Sequence, residues 1–223
     1  MEPAQTTVEP PSAQRHRIAA CLQPPGQGFR LEACVAEDPG RTELESYVQA
    51  AFQAKHGATV RTFMPTLIAF RDRAAVLRGV VGVRDAGQEG LYLEHYLDRP
   101  VEEALAVALA ARGLESVPRA RIAEVGNLAG NNCRAAVRMV AHIPAYLMSL
   151  GYEWIVFTAT GALQQILAGF GAPLVELARA DGASVAQASD DWGRYYETDP
   201  RVYAGRLADA DRLAGFARRG TNH

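Results

Sequence analysis

Ile122-Ala123-Glu124-Val125-Gly126-Asn127-Leu128-Ala129-Gly130-Asn131-Asn132-Cys133-Arg134 runs from an apolar stretch, through a small polar loop, into a long amphipathic segment. Residues 120–128 read as a strand and residues 134–150 as a helix with its stripe at Ala136, Val140, Ile143, Leu147 and Leu150. Pro144 inside that helix removes one backbone bond and should kink it. The first N–H groups of a helix have no internal partner, and its dipole adds partial positive charge, so this corner suits an anion. Gly130 lets a ligand come close to the backbone, and Arg134 can add a charge-assisted contact to a phosphate. The same residues equally suit a plain turn capped by Asn131 or Asn132.

Downstream, Gly151 turns the chain into Trp154-Ile155-Val156-Phe157, a continuously apolar run typical of a strand buried on both faces. Leu163, Ile166, Leu167 and Phe170 mark a helix stopped by Gly171 and Pro173, and residues 174–178 read as a last strand. Upstream, residues 29–35 alternate apolar and polar as a strand does. Residues 42–56 form a helical stripe of Leu44, Tyr47, Val48, Ala51 and Phe52, with Gly57 at the C-terminal cap. Residues 63–70 and 75–83 make a hairpin across Arg71-Asp72-Arg73, and Asp98 caps a helix that opens near Pro100 and ends at Gly113. This order predicts an α/β fold: a mixed twisted sheet with helices on both faces.

The chain has 223 residues, of which 48% are hydrophobic and 22% charged, with a formal net charge of −2, so it is globular in composition. That balance offers nothing to capture nucleic acid or an anionic membrane. Residues 1–16 read as a tail, 17–206 as one domain and 207–223 as a C-terminal helix or tail. Three cysteines without CxxC spacing fit a reducing compartment. No signal-like start and no long apolar span are present, so a cytoplasmic location is expected. The histidines His95 and His142 lack metal-ligand spacing, and no metal site is expected.

Five blocks carry a resemblance: Met64-Pro65-Thr66-Leu67, Leu91-Tyr92-Leu93-Glu94-His95-Tyr96-Leu97-Asp98, Glu124-Val125-Gly126-Asn127-Leu128-Ala129, Phe157-Thr158-Ala159-Thr160 and Trp192-Gly193-Arg194-Tyr195-Tyr196. In this order they resemble the signature of the thermostable hemolysin family. That family is similar to the GNAT acyltransferases and, among them, to the N-acyl-homoserine-lactone autoinducer synthases. The resemblance implies a GNAT-like sheet in which splayed strands beside the cofactor helix admit a pantetheine arm. Glu124 matches the acidic residue of the synthases' Glu-x-Ser-Arg strand end, whereas Gly126 and Asn127 depart from their Ser and Arg.

The resemblance implies an N-acyltransferase that moves an acyl group, long-chain on this reading, from acyl-CoA or acyl carrier protein to a small amine. Such a reaction needs a base for the amine, donors for the oxyanion and a place for the donor's phosphates. Glu124 and Glu94 are the candidate bases, and Tyr195 or Tyr196 the candidate acid for the leaving thiolate. Asn127, Leu128, Ala129, Gly130, Asn131, Asn132, Arg134, Thr158 and Thr160 are the candidate donor-binding residues, with the Leu128 and Ala129 N–H groups facing the oxyanion. Two other readings stand beside this one: a membrane-active haemolysin, which the absence of any basic amphipathic helix opposes, and a GNAT-like domain that binds a ligand without chemistry.

Overall fold

The computed structural model describes residues 29–169, 171, 173–185 and 191–210. Its strands are β1 (Phe29–Cys34), β2 (Thr66–Asp72), β3 (Leu77–Asp85), β4 (Ile122–Gly130), β5 (Trp154–Ala159), β6 (Leu174–Arg179) and β7 (Arg201–Arg206). They form one sheet in the order β1-β2-β3-β4-β5-β7-β6. Among the described strands only the β4–β5 pair is parallel, and the helix between those strands makes the crossover that a parallel pair requires.

Among the described residues four helices cover the sheet: α1 (Arg41–His56), α2 (Val101–Ala110), α3 (Cys133–Ser149) and α4 (Gly161–Gly169). On one face, Leu44 and Val48 of α1 pack with Leu67, Ala69, Val80 and Ala129, and α2 buries Val101, Leu105 and Leu109 against Ile122, Trp154, Val156 and Val202. On the other, α3 buries Met139, Ile143 and Leu147 against Ile68, Val81, Val83 and Ala123, while Leu167 of α4 packs on Phe157 and Ala159. The mixed sheet with helices on both faces is therefore as the sequence predicts.

Three local expectations are corrected. The strand at 174–179 is not the last: β7 follows it and inserts between β5 and β6. Its Val202 and Ala204 are fully buried in alternation with more exposed neighbours, a period-2 signal that is short and flanked by arginines. Asp98 does not cap α2; the Glu94 carboxylate accepts the Val101 N–H at 2.9 Å, and Asp98 pairs with Arg99. The alternation of β4 breaks at Asn127, whose φ is 46°, where β4 runs Gly126 to Ala129 while β3 advances only from Gly82 to Val80. This is a β-bulge. Its effect is that Leu128 joins Val125 on the α3 face and Ala129 joins Gly126 on the α1 face, so the side chains after the bulge no longer follow the alternation that a plain strand would give. The proposed tail 1–16 and residues 211–223 lie outside the described residues.

Candidate active site

The β4–β5 pairing starts at Ile122–Trp154 and stops at Val125–Phe157, although β4 continues to Gly130 and β5 to Ala159. The two strands thus part halfway, while β4 keeps β3 as its partner through Gly130. The bulge at Asn127 bends β4 at the point of parting. Asn127 tolerates its left-handed backbone, and its side-chain oxygen accepts the Met64 N–H at 2.8 Å. Asn127 therefore ties the loop before β2 to the bulge. Met64 then lies across Gly82 and Gly126: a Cβ on Gly82 would stand 2.6 Å from Met64 Cγ, and one on Gly126 would overlap Met64 Cε. The space beside Gly126 is filled by this methionine.

A cavity of about 820 Å³ opens at the parting. Its size falls in the usual range for ligand sites, roughly 300–1,000 Å³. Val140 and Ile143 of α3, Leu163 and Ile166 of α4, and Phe157 line one part, on the α3 and α4 face. Phe52, His56, Met64, Tyr92, Trp192 and Tyr195 line another, on the α1 face. The cavity thus passes through the sheet, with the β4–β5 gap as its neck.

Asn127, Leu128, Ala129, Gly130, Asn131, Asn132, Thr158 and Thr160 all line this cavity, as do Glu124 and Tyr195. The Asn132 side chain accepts the Ala135 N–H at 2.8 Å and caps α3. Arg134, Glu94 and Tyr196 are not on the cavity wall; Arg134 is exposed in the first turn of α3. Tyr196 stands behind the wall, its hydroxyl 2.7 Å from that of Tyr96.

The two candidate carboxylates behave differently. Glu124 is 3% exposed, and each of its oxygens accepts a backbone N–H, from Leu93 and Tyr92, both at 2.9 Å. Burial pushes its carboxyl above the ordinary range, against those two hydrogen bonds and the Arg84 guanidinium 4.0 Å away. Glu124 thus anchors the short 3₁₀ turn Tyr92–Tyr96 to β4. Glu94, inside that turn, accepts from Leu91 N and Val101 N and ion-pairs with Arg119 at 2.6 Å. Burial alone would raise the Glu94 carboxyl, but Arg119 and the two N–H groups together hold it at about 2.

Aromatic rings build the wall on the α1 face. Trp192 Nε1 donates to the Tyr92 hydroxyl at 3.1 Å, and Trp192 and Tyr195 lie 5.2 Å apart between centroids. Phe52 stacks on Tyr195, and His56, one helical turn further, meets the same ring edge-on at 5.3 Å. Burial raises the Tyr195 phenol, with Tyr196 and Tyr92 adding to it. Burial lowers the His56 imidazole, helped by Lys55 and Arg194. His56 was not among the candidates read from sequence; there it is simply the last residue of an amphipathic helix, and only the later Trp192–Tyr195 segment gives it surroundings. Among the described residues no group of three or more His, Cys, Asp or Glu is arranged to hold a metal ion, and no helix is long and apolar enough to cross a membrane.

The fold is GNAT-like. It is similar to the N-acyl amino acid synthase FeeM from uncultured soil microbes, with 16% identity, a TM-score of 0.55, and coverage of 86% of this chain and 98% of that one. It is similar to the AHL synthase LasI, with 12% identity, a TM-score of 0.53 and coverage of 85% and 96%. A CoA-dependent acyl-homoserine lactone synthase, MesI, gives 14% identity, a TM-score of 0.51 and coverage of 85% and 95%. Comparison with curated proteins returns no match. The model of the thermostable hemolysin family matches residues 34–211, most of the chain, and the protein belongs to that family.

Proposed function

We propose that the protein is an N-acyltransferase that carries an acyl group from acyl-CoA or acyl carrier protein to a small amine. The observation that carries this reading is the cavity that crosses the sheet where β4 and β5 part. A strand edge stripped of its partner offers backbone groups to an extended amide chain, which is what a pantetheine arm is. On this reading the arm lies against β4 beyond Val125. Successive N–H groups of a strand point to opposite edges, so one of the Leu128 and Ala129 N–H groups faces the gap and the thioester oxygen while the other faces β3. The apolar part of the cavity, between α3 and α4, holds the acyl chain by burial alone and so favours a long one. The aromatic part holds the amine. Asn127, Asn131, Asn132, Thr158 and Thr160 border the donor, and Arg134 at the exposed start of α3 meets its phosphates. Tyr195 stays protonated because burial raises its phenol, which suits an acid for the departing thiolate. The likeness to FeeM and to the homoserine-lactone synthases supports acyl transfer through the shared fold.

The test is direct. Dodecanoyl-CoA is incubated with the full chain and a mixture of the twenty protein amino acids, ethanolamine and putrescine, with free thiol and N-dodecanoyl amides followed together. Enzyme-dependent amide formation matched by thiol release is expected. A chain that forms no amide product and also retains no acyl-CoA in native mass spectrometry would overturn the reading.

A further inference from the structure

We propose that His56 is the general base that takes the proton from the attacking amine, working from the aromatic side of the sheet. The inference rests on the acyltransferase reading and adds to it a residue that no carboxylate in the cavity replaces.

The chemistry requires a group on the cavity wall that is unprotonated near neutral pH and has a free lone pair. Glu124 is the carboxylate on that wall, and both its oxygens are held by backbone N–H groups. Glu94 is off the wall and held by Arg119. His56 is buried, lines the cavity, and neither ring nitrogen is hydrogen-bonded by a described residue. The groups facing it are Lys55 on its own helix and Arg194 and Tyr195 on the loop that packs over it. The two cations oppose a charged imidazole, as burial does, so His56 stays neutral and ready to accept.

The position is also built. Gly57 ends α1 in the left-handed region with φ of 67°. The Arg194 N–H donates to the His56 carbonyl at 2.8 Å, and Thr59 and Asp191 exchange backbone hydrogen bonds at 2.6 and 3.2 Å. Gly193 has φ of 50°, and a Cβ there would collide with the His56 carbonyl and stand 2.8 Å from the Gly57 carbonyl carbon. Two glycines and a two-residue bridge thus clamp segments far apart in sequence, and the clamp sets the imidazole edge-on to Tyr195.

The step balances. The acceptor arrives as an ammonium and loses two protons in becoming an amide. His56 takes the first, freeing the lone pair that attacks the thioester carbon; the C–N bond forms and the C–S bond breaks. Tyr195 gives its proton to the thiolate and regains one from solvent, and the protonated His56 releases its own to solvent. The second amine proton leaves to solvent.

The experiment is His56→Gln in the full chain, assayed with dodecanoyl-CoA and the amine mixture above. Turnover should fall by roughly 10²–10⁴-fold, with dodecanoyl-CoA binding unchanged. The wild-type pH–rate profile should show an acidic limb below the ordinary histidine value of about 6.5, and the variant should lose it. Should the variant not fold, the His56 ring is titrated by NMR in wild type, assigned by replacing the other four histidines; its midpoint should coincide with the acidic limb. A fully active variant that keeps the limb, or a His56 midpoint apart from it, overturns the assignment while leaving acyl transfer standing. A wild type that neither binds nor turns over the thioester overturns both.

Discussion

Replacing Glu124 by Gln separates an anchor from a base. Two backbone N–H groups, of Tyr92 and Leu93, point at the two carboxylate oxygens, each at 2.9 Å, in a site only 3% exposed. Glutamine brings one acceptor oxygen and sets an NH2 against the second N–H. One buried donor is left unsatisfied, which costs about 1–3 kcal/mol. In a chain of this length each 1 kcal/mol moves the midpoint by roughly 2–4 °C, so Tm should drop by about 4–8 °C at the middle of that range. Burial holds the wild-type carboxyl above its ordinary value of 4.5. The folded chain therefore keeps this proton to higher pH than the unfolded chain does. Stability tied to Glu124 is then present below about 4.5 and declines as pH rises through the folded-state pKa, a slope the variant should lack. The assay is thermal unfolding followed by circular dichroism across pH, with turnover normalised to folded protein. Unchanged Tm with turnover lost by 100-fold or more would refute the anchoring role and make Glu124 the base.

Other consequences follow from the same contacts. Gly193→Ala puts a methyl group against the backbone of His56 and Gly57 at a positive φ, so it should destabilise by about 2 kcal/mol or more, measured by urea unfolding; Gly126→Ala meets only the flexible end of Met64 and should cost less. Ile166→Trp fills the part of the cavity between α3 and α4 and should shift chain-length preference toward shorter acyl-CoAs, read by competition between hexanoyl-CoA and hexadecanoyl-CoA. Glu94 is held at about 2, below its ordinary 4.5, so its contribution is full above 4.5 and lost as pH falls toward 2; Arg119→Met should flatten that acid limb of a stability–pH curve.

The strand–helix–strand unit at 122–159 was legible because its patterns are long and unmixed: an apolar stripe along α3 and the continuously apolar Trp154–Phe157 run of β5. The hairpin and the C-terminal glycine of α1 were legible for equally local reasons, turn chemistry and a left-handed cap. What was missed depends on partners distant in sequence. Nothing near Asn127 states that Met64, 63 residues away, will take its side-chain oxygen, yet that contact goes with a bulge that reverses the parity of β4. The six residues of β7 are a strand because β5 and β6 flank them. His56 looks like a helix end until Gly193 lets a second segment close over it. The aromatic block at 192–196 pointed to the site, but only its packing separates Tyr195, on the cavity wall, from Tyr196 behind it.

An acyl donor that threads the sheet where β4 and β5 part leaves a definite trace in a complex. A crystal structure of the full chain with a non-reactive thioether analogue of dodecanoyl-CoA tests it most directly. The pantetheine arm should be hydrogen-bonded to β4 beyond Val125, the alkyl chain should lie between α3 and α4, and the reacting carbon should face Tyr195 and His56. An analogue bound outside the sheet, with Phe157 and Leu163 untouched and the gap empty, would contradict it.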